Sequence, residues 1–85
     1  MIKVLIVDDS SRDRHLLNTI LTRKLGCKVT ASENGLEALN RLSTDTYNLV
    51  ILDLQMPLMN GTEVLQEIRQ HPATSELPVL MITGT

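Results

Sequence analysis

Three aspartates stand at the ends of two apolar segments. Asp8 and Asp9 follow the run at residues 2–7, and Asp53 closes the run at residues 49–52. If the two runs are neighbouring parallel strands, their carboxyl ends lie on one edge of a sheet, where open α/β sheets bind ligands. Three carboxylates meeting there would repel one another and raise at least one pKa unless a cation lies among them. Such an all-oxygen set suits Mg²⁺ better than Zn²⁺, so the pattern predicts a magnesium site.

Each acid also has a simpler interpretation. An aspartate at a strand end often serves only as a helix cap or a turn residue, which would account for Asp8 or Asp9 taken singly. The third acid, Asp53, favours the shared site. The two histidines have no partners at metal-ligand spacing, the methionines are expected to fill the core, and the lone Cys27 is expected to be a half-buried thiol.

Length and composition narrow the class of protein. A chain of 85 residues forms one domain at most, and 42% hydrophobic residues with a formal net charge of −2 favour a globular domain over disorder or a basic nucleic-acid surface. No segment approaches the ~20 apolar residues of a membrane span, and the start does not resemble a signal peptide. We therefore expect a cytoplasmic protein that binds neither membrane nor nucleic acid.

The rest of the chain alternates strand-like and helix-like segments. A stripe at residues 16, 17, 20, 21 and 25 predicts an amphipathic first helix, capped by Ser10-Ser11 and ended by Gly26. Its polar residues 12–15 are expected to face solvent or the rim of the acidic site, and most of them are interpreted as solvated. The second helix is expected from the Asn34-Gly35 turn to near residue 43, and the third from residue 62 to before Pro72. The predicted strands are 2–7, 27–32, 49–53 and a buried 78–83. This order predicts a parallel sheet with helices on both faces and the third strand at its centre.

Three features together resemble the receiver domain of two-component response regulators. They are the Asp8-Asp9 pair, the block Asp-Leu-Gln-Met-Pro-Leu-Met-Asn-Gly at residues 53–61, and an apolar strand ending in Thr83. The resemblance implies a flavodoxin-like, doubly wound parallel sheet. A complete receiver continues with a helix, a strand ending in a lysine and a last helix. Residues 1–85 are therefore expected to form a partial receiver domain of βαβαβαβ type, with strand order 2-1-3-4 and without that C-terminal helix-strand-helix.

The resemblance also implies a role for each residue of the site. Asp53 would be the phosphoacceptor, and Mg²⁺ would be held by Asp8, Asp9, Asp53 and the backbone carbonyl of Gln55. Thr83 would hydrogen-bond the phosphoryl group. The side chains of Gln55 and Thr85 would flank the site, while Pro57 and Gly61 would shape the loop after Asp53. The implied partner is a sensor histidine kinase or a phosphotransfer protein, and the domain would be a signalling switch more than an enzyme.

The missing lysine and the missing strand carry further expectations. Without the family's lysine, phosphorylation of Asp53 is expected to be impaired. Without a fifth strand, the fourth becomes an apolar edge, which favours a homo-oligomer formed through that side. The alternative function is therefore a truncated or engineered fragment that acts as a self-association or interaction module without phosphorylation. A haloacid-dehalogenase-like hydrolase is disfavoured, because its nucleophile follows the first strand in an Asp-x-Asp pattern that Asp8-Asp9-Ser10 lacks.

Overall fold

Strands and helices alternate along the chain. The structure is a computed structural model that describes residues 1–83. Its elements are β1 (Lys3–Val7), α1 (Ser11–Leu25), β2 (Lys28–Ser32), α2 (Gly35–Thr44), β3 (Leu49–Asp53), α3 (Gly61–Gln70), a short 3₁₀ helix (Pro72–Thr74) and β4 (Val79–Ile82). The predicted βαβαβαβ order is confirmed.

The four strands form one parallel sheet in the order β2-β1-β3-β4. Val7 of β1 stands opposite Leu52 of β3, so the residues that follow them, Asp8 and Asp53, come at the same level of the sheet. Asp53 in turn pairs with Ile82 of β4. The predicted strand order is confirmed, and the carboxyl ends of β1, β3 and β4 share one edge.

Apolar side chains cover both faces of the sheet, because successive residues of a strand point to opposite sides. One face packs against α2 and α3, and the other packs against α1. The first core contains Leu5, Val7, Val50 and Leu52 with Ala38, Val64 and Ile68 of the helices, and the second contains Val4, Ile6 and Ile51 with Leu21. These two layers hold the strands in register and so fix where the strand ends lie.

Local capping chemistry sets the ends of α1 and α3. The hydroxyl of Ser10 accepts a hydrogen bond from the Asp13 backbone N–H at the start of α1, as its sequence predicts. Gly26 ends this helix in the left-handed conformation at φ 66°, which favours glycine. At the start of α3, Asn60 and Glu63 form a reciprocal capping box.

Two apolar segments are less buried than their sequence patterns indicate. In α1 only Leu21 of the apolar stripe is buried, whereas Leu16, Ile20 and Leu25 are 56%, 43% and 68% exposed. In β4, whose apolar run was interpreted as a buried strand, Leu80 is 54% exposed. This exposure agrees with the expectation that β4 forms an apolar edge of the sheet. Within residues 1–83, α1 is the only helix on its face of the sheet and packs against β1 and β2, so apolar side chains that point away from these two strands stay uncovered.

Among the helices of residues 1–83, no candidate for a membrane span is found.

Candidate functional site

The structure brings the three predicted acids together at the carboxyl edge of the sheet. Asp8, Asp9 and Asp53 each offer a carboxylate oxygen, and these oxygens lie within 4.8 Å of one another. Asp8 and Asp53 are only 2% and 5% exposed, while Asp9 is exposed to solvent. The cluster is therefore open on one side and buried on the other.

Each of the two buried acids accepts a local hydrogen bond of the same kind. The Ser10 backbone N–H donates to Oδ1 of Asp8 at 2.9 Å, and the Gln55 backbone N–H donates to Oδ1 of Asp53 at 3.1 Å. Each bond links a strand-end aspartate to the residue two positions later, a turn that aspartate side chains favour. Each carboxylate is thus oriented by the backbone of the turn that follows it. The second oxygen of each carboxylate does not take part in that bond.

Burial and like charge act together on Asp8. Its pKa is raised above the usual 3.8, first by loss of solvent and then by the negative charges of Asp53, Asp13 and Asp9, while the hydrogen bond from Ser10 opposes the rise. A divalent cation would remove this repulsion. Because every converging donor is a carboxylate oxygen, the residues present fit a hard ion such as Mg²⁺.

The loop between β3 and α3 is packed tightly against the site by Gly61. The Gly61 N–H donates to the Leu54 carbonyl at 3.0 Å. A Cβ atom at this position would collide with the Asp53 carbonyl oxygen and would lie 2.7 Å from Leu54 Cα. Pro57 lies in the exposed part of this loop. Only glycine allows the start of α3 to approach the end of β3 so closely.

Two further predicted residues, Gln55 and Thr83, belong to the same edge of the sheet as the cluster. Gln55 and Thr83 are exposed. Thr83 follows β4, whose Ile82 pairs with Asp53, so Thr83 belongs to the same edge of the sheet. Thr85 lies outside the described residues.

Sequence reasoning left the position of one residue beside the site, Arg14, open between solvent and the rim of the acidic cluster, and gave it no role. The structure places it at the site, where its Nη1 atom donates to the backbone carbonyl of Asp8 at 2.7 Å. The one signal in the sequence is its position, in the first turn of a helix that starts immediately after the acidic pair.

The fold and the site define a class, a flavodoxin-like parallel α/β domain with an acidic centre at the carboxyl edge of its sheet. Residues 4–85 match the sequence profile of the response regulator receiver domain. The chain belongs to this family, whose members are signalling modules of two-component systems.

Known proteins and structures agree with this assignment. The chain is 46% identical over 84 residues to a CpxR homologue of Haemophilus influenzae, described as a transcriptional regulatory protein. A receiver protein domain from Methanoculleus marisnigri matches at 37% identity with a TM-score of 0.92, over 98% of this chain and 67% of that one. TrrA of Thermotoga maritima, solved in complex with Mg²⁺-BeF, matches at 36% identity with a TM-score of 0.92, over all of this chain and 71% of that one.

The chain matches only part of its longer relative. The aligned region covers 99% of this chain but only 35% of the Haemophilus influenzae protein. The transcriptional role in that protein's name therefore describes the longer protein.

Proposed function

We propose that this chain is a phosphoacceptor module in which Asp53 accepts a phosphoryl group from a histidine kinase or a phosphotransfer protein. The observation that supports this most directly is the convergence of Asp8, Asp9 and Asp53 within 4.8 Å at the edge of a receiver-type sheet. The first two acids, with Asp53 and the Gln55 backbone carbonyl, would hold Mg²⁺. Bound there, the ion would offset the negative charge of the acids and of the incoming phosphoryl group.

The buried carboxylate of Asp53 is the nucleophile in this proposal. One of its oxygens is held by the Gln55 N–H, which orients the group for attack by the other. The attacking oxygen forms a P–O bond with the phosphohistidine phosphorus while the P–N bond breaks. The imidazole leaves with the bonding electron pair and takes up a proton. A carboxylate can carry such a covalent intermediate.

Thr83 is the proposed switch residue. Its hydroxyl is exposed at the end of β4, on the edge that carries Asp53. A phosphoryl group adds charge and strong acceptor oxygens, so it would attract this hydroxyl and shift the surrounding segment. In the same proposal the Gln55 side chain and Thr85 flank the path of the hydrolytic water and tune the lifetime of the acyl phosphate.

The Mg²⁺-BeF complex of TrrA supports the choice of ion, since that protein is 36% identical to this chain over the matched residues. Family membership assigns the domain to signalling rather than to a metabolic reaction. Any hydrolysis of its own acyl phosphate, the impairment of phosphorylation and the cytoplasmic location stay predictions.

The test is phosphorylation in solution. Incubated with Mg²⁺ and a small phosphodonor such as acetyl phosphate, the chain is expected to gain one phosphoryl group by intact-mass measurement. The gain should vanish in Asp53→Asn and after chelation of the metal, and should persist in Asp45→Asn, which changes an exposed acid outside the acidic cluster. An equal gain in Asp53→Asn would contradict the assignment of the phosphoacceptor.

Self-association through the β4 side is a second candidate. Leu80 is 54% exposed and pairs in register with Ile51, so it lies on the face of the sheet that α1 covers only in part. Burial of such apolar surface favours association. Sedimentation at several protein concentrations is expected to show a dimer or larger species that Leu80→Glu converts to a monomer, and a monomer at all concentrations would contradict it.

A further inference from the structure

One charged side chain beside the acidic cluster has no role in the phosphoacceptor assignment. Arg14 is half-buried in the first turn of α1, and its Nη1 atom donates to the carbonyl oxygen of Asp8 at 2.7 Å. Its own backbone N–H donates to the Ser10 carbonyl at 3.0 Å. The backbone bond belongs to the first turn of α1, and the side-chain bond ties that turn to the residue that follows β1.

The other hydrogen bonds of this turn all meet at Asp8 or Ser10. The Asp8 N–H donates to the Ser32 carbonyl at 3.1 Å, which joins it to β2. The Asp8 carboxylate accepts from the Ser10 N–H, and the Ser10 hydroxyl accepts from the Asp13 N–H. Of all these donors, Arg14 contributes the only side chain. A guanidinium is suited to this task because it stays charged and its donors are held in a rigid plane.

We propose that Arg14 is a positioning residue that holds Asp8 in the orientation in which its carboxylate meets Asp9 and Asp53. With its carbonyl held by Arg14 and its N–H held by β2, the Asp8 backbone is restrained on both sides, which favours the bond of its side chain to Ser10. The consequence for Mg²⁺ binding rests on the proposed function. The consequence for the Asp8–Ser10 turn does not depend on metal.

The test compares two substitutions that remove the same charge. Arg14→Met removes the bond to Asp8, whereas Arg12→Met removes an exposed arginine two residues earlier on the same helix. In the metal-free chain, amide hydrogen exchange of Ser10 is expected to accelerate about tenfold in Arg14→Met, the effect of losing a charge-assisted hydrogen bond that supports the turn. Arg12→Met should leave it within about twofold, since exposed charges contribute little. Arg14→Lys keeps the positive charge and a hydrogen-bond donor but lacks the planar guanidinium, so its Ser10 exchange rate should lie between those of the two methionine variants.

Mg²⁺ titration followed by NMR gives the second measurement. The dissociation constant is expected to rise about tenfold in Arg14→Met, at the lower end of the effect of removing groups that orient metal ligands. Equal Ser10 exchange in the Arg14 and Arg12 variants would overturn the inference, even if Arg14→Met lowered the melting temperature. A wild-type chain that binds no Mg²⁺ would instead overturn the proposed function, and Ser10 exchange would then decide the role of Arg14 alone.

Discussion

Replacing Asp8 by asparagine is expected to stabilise the metal-free chain and to abolish the proposed binding of Mg²⁺. Asp8 is 2% exposed, and its pKa is raised by burial and then by the charge of Asp53. Asparagine has nearly the same shape, and its Oδ1 can still accept the bond from Ser10. The substitution thus removes a buried charge and its repulsion without opening a cavity.

The separation of the acids sets the size of the effect. At 4.8 Å, two unit charges repel by about 0.9 kcal/mol at a dielectric constant of ~80 and by about 3.5 kcal/mol at an effective value of ~20. Asp8 is buried but lies at the edge of the sheet, so we expect a gain of about 1–3 kcal/mol in the free energy of unfolding at neutral pH. For a domain of this size, each kcal/mol raises the melting temperature by roughly 4–8 °C.

The sign of the pH dependence follows from the direction of the pKa shift. Because the pKa of Asp8 is raised in the folded chain, the folded state takes up this proton at a higher pH than the unfolded state does. The cost of the charge is complete above the raised pKa and disappears as the pH falls toward 3.8. The advantage of Asp8→Asn over the wild type should therefore be greatest at neutral pH and shrink on acidification.

Urea denaturation with a chelator and then with saturating Mg²⁺ is the assay. Ligand at 100 times its dissociation constant adds about 2.7 kcal/mol to the wild type, and Asp8→Asn should gain far less. Asp45→Asn is the matched control, because Lys3 hydrogen-bonds Asp45 and lowers its pKa. Asp45 stabilises the fold above its usual pKa and loses that contribution as the pH falls through the lowered value, so its substitution should destabilise at neutral pH. A fall in the stability of metal-free Asp8→Asn would refute the reasoning.

Three further substitutions test the packing around the site by urea denaturation. Gly61→Ala should lower the free energy of unfolding by about 1–3 kcal/mol, because the added Cβ collides with the Asp53 carbonyl. An unchanged free energy of unfolding would show that the loop can move away. Ser32→Ala should leave the free energy of unfolding unchanged or raise it by up to about 1 kcal/mol, since this buried hydroxyl has no hydrogen-bond partner within residues 1–83; a loss above ~1 kcal/mol would reveal a partner. Leu58→Asn should raise the free energy of unfolding by about 0.5–1 kcal/mol, because Leu58 is 85% exposed at φ 71°, a conformation that asparagine tolerates better. Leu58→Val should lower it. Equal free energies for the two variants would contradict backbone strain at this position.

Much of the fold and the acidic cluster could be predicted because both depend on patterns along the chain. The apolar runs give the strands, and alternation with helices gives parallel pairing. Parallel pairing of β1 and β3 then places Asp8 beside Asp53 without knowledge of any side-chain contact. The motif spacing that resembles the receiver family added the identity of the domain, which the comparison with known proteins confirmed.

The features that escaped prediction depend on three-dimensional surroundings. The periodicity of α1 shows which side chains are apolar but not whether another element covers them, so the exposure of Leu16 and Ile20 was missed. The bond from Arg14 depends on the path of the chain between β1 and α1, since a long side chain in a first helical turn can point to solvent equally well. The left-handed conformation of Leu58 has no signal in its residue type, because leucine is rare there.

Three unfavourable polar or backbone features within residues 1–83 lie near one edge of the sheet. Asp8 and Asp53 repel each other. The Ser32 hydroxyl has no hydrogen-bond partner within residues 1–83, and the carbonyl of the same residue accepts the bond from the Asp8 N–H. Leu58, at positive φ, lies in the loop between Asp53 and Gly61. Elsewhere in residues 1–83 the helices are capped and the sheet has two apolar cores, and the remaining unfavourable feature is the uncovered apolar surface of α1 and β4. Strain and repulsion at such an edge persist when the rest of the fold determines the geometry, and they are typical of sites kept for function. The distribution of these costs is therefore an argument for the acidic cluster as the functional site that is independent of the resemblance to any family.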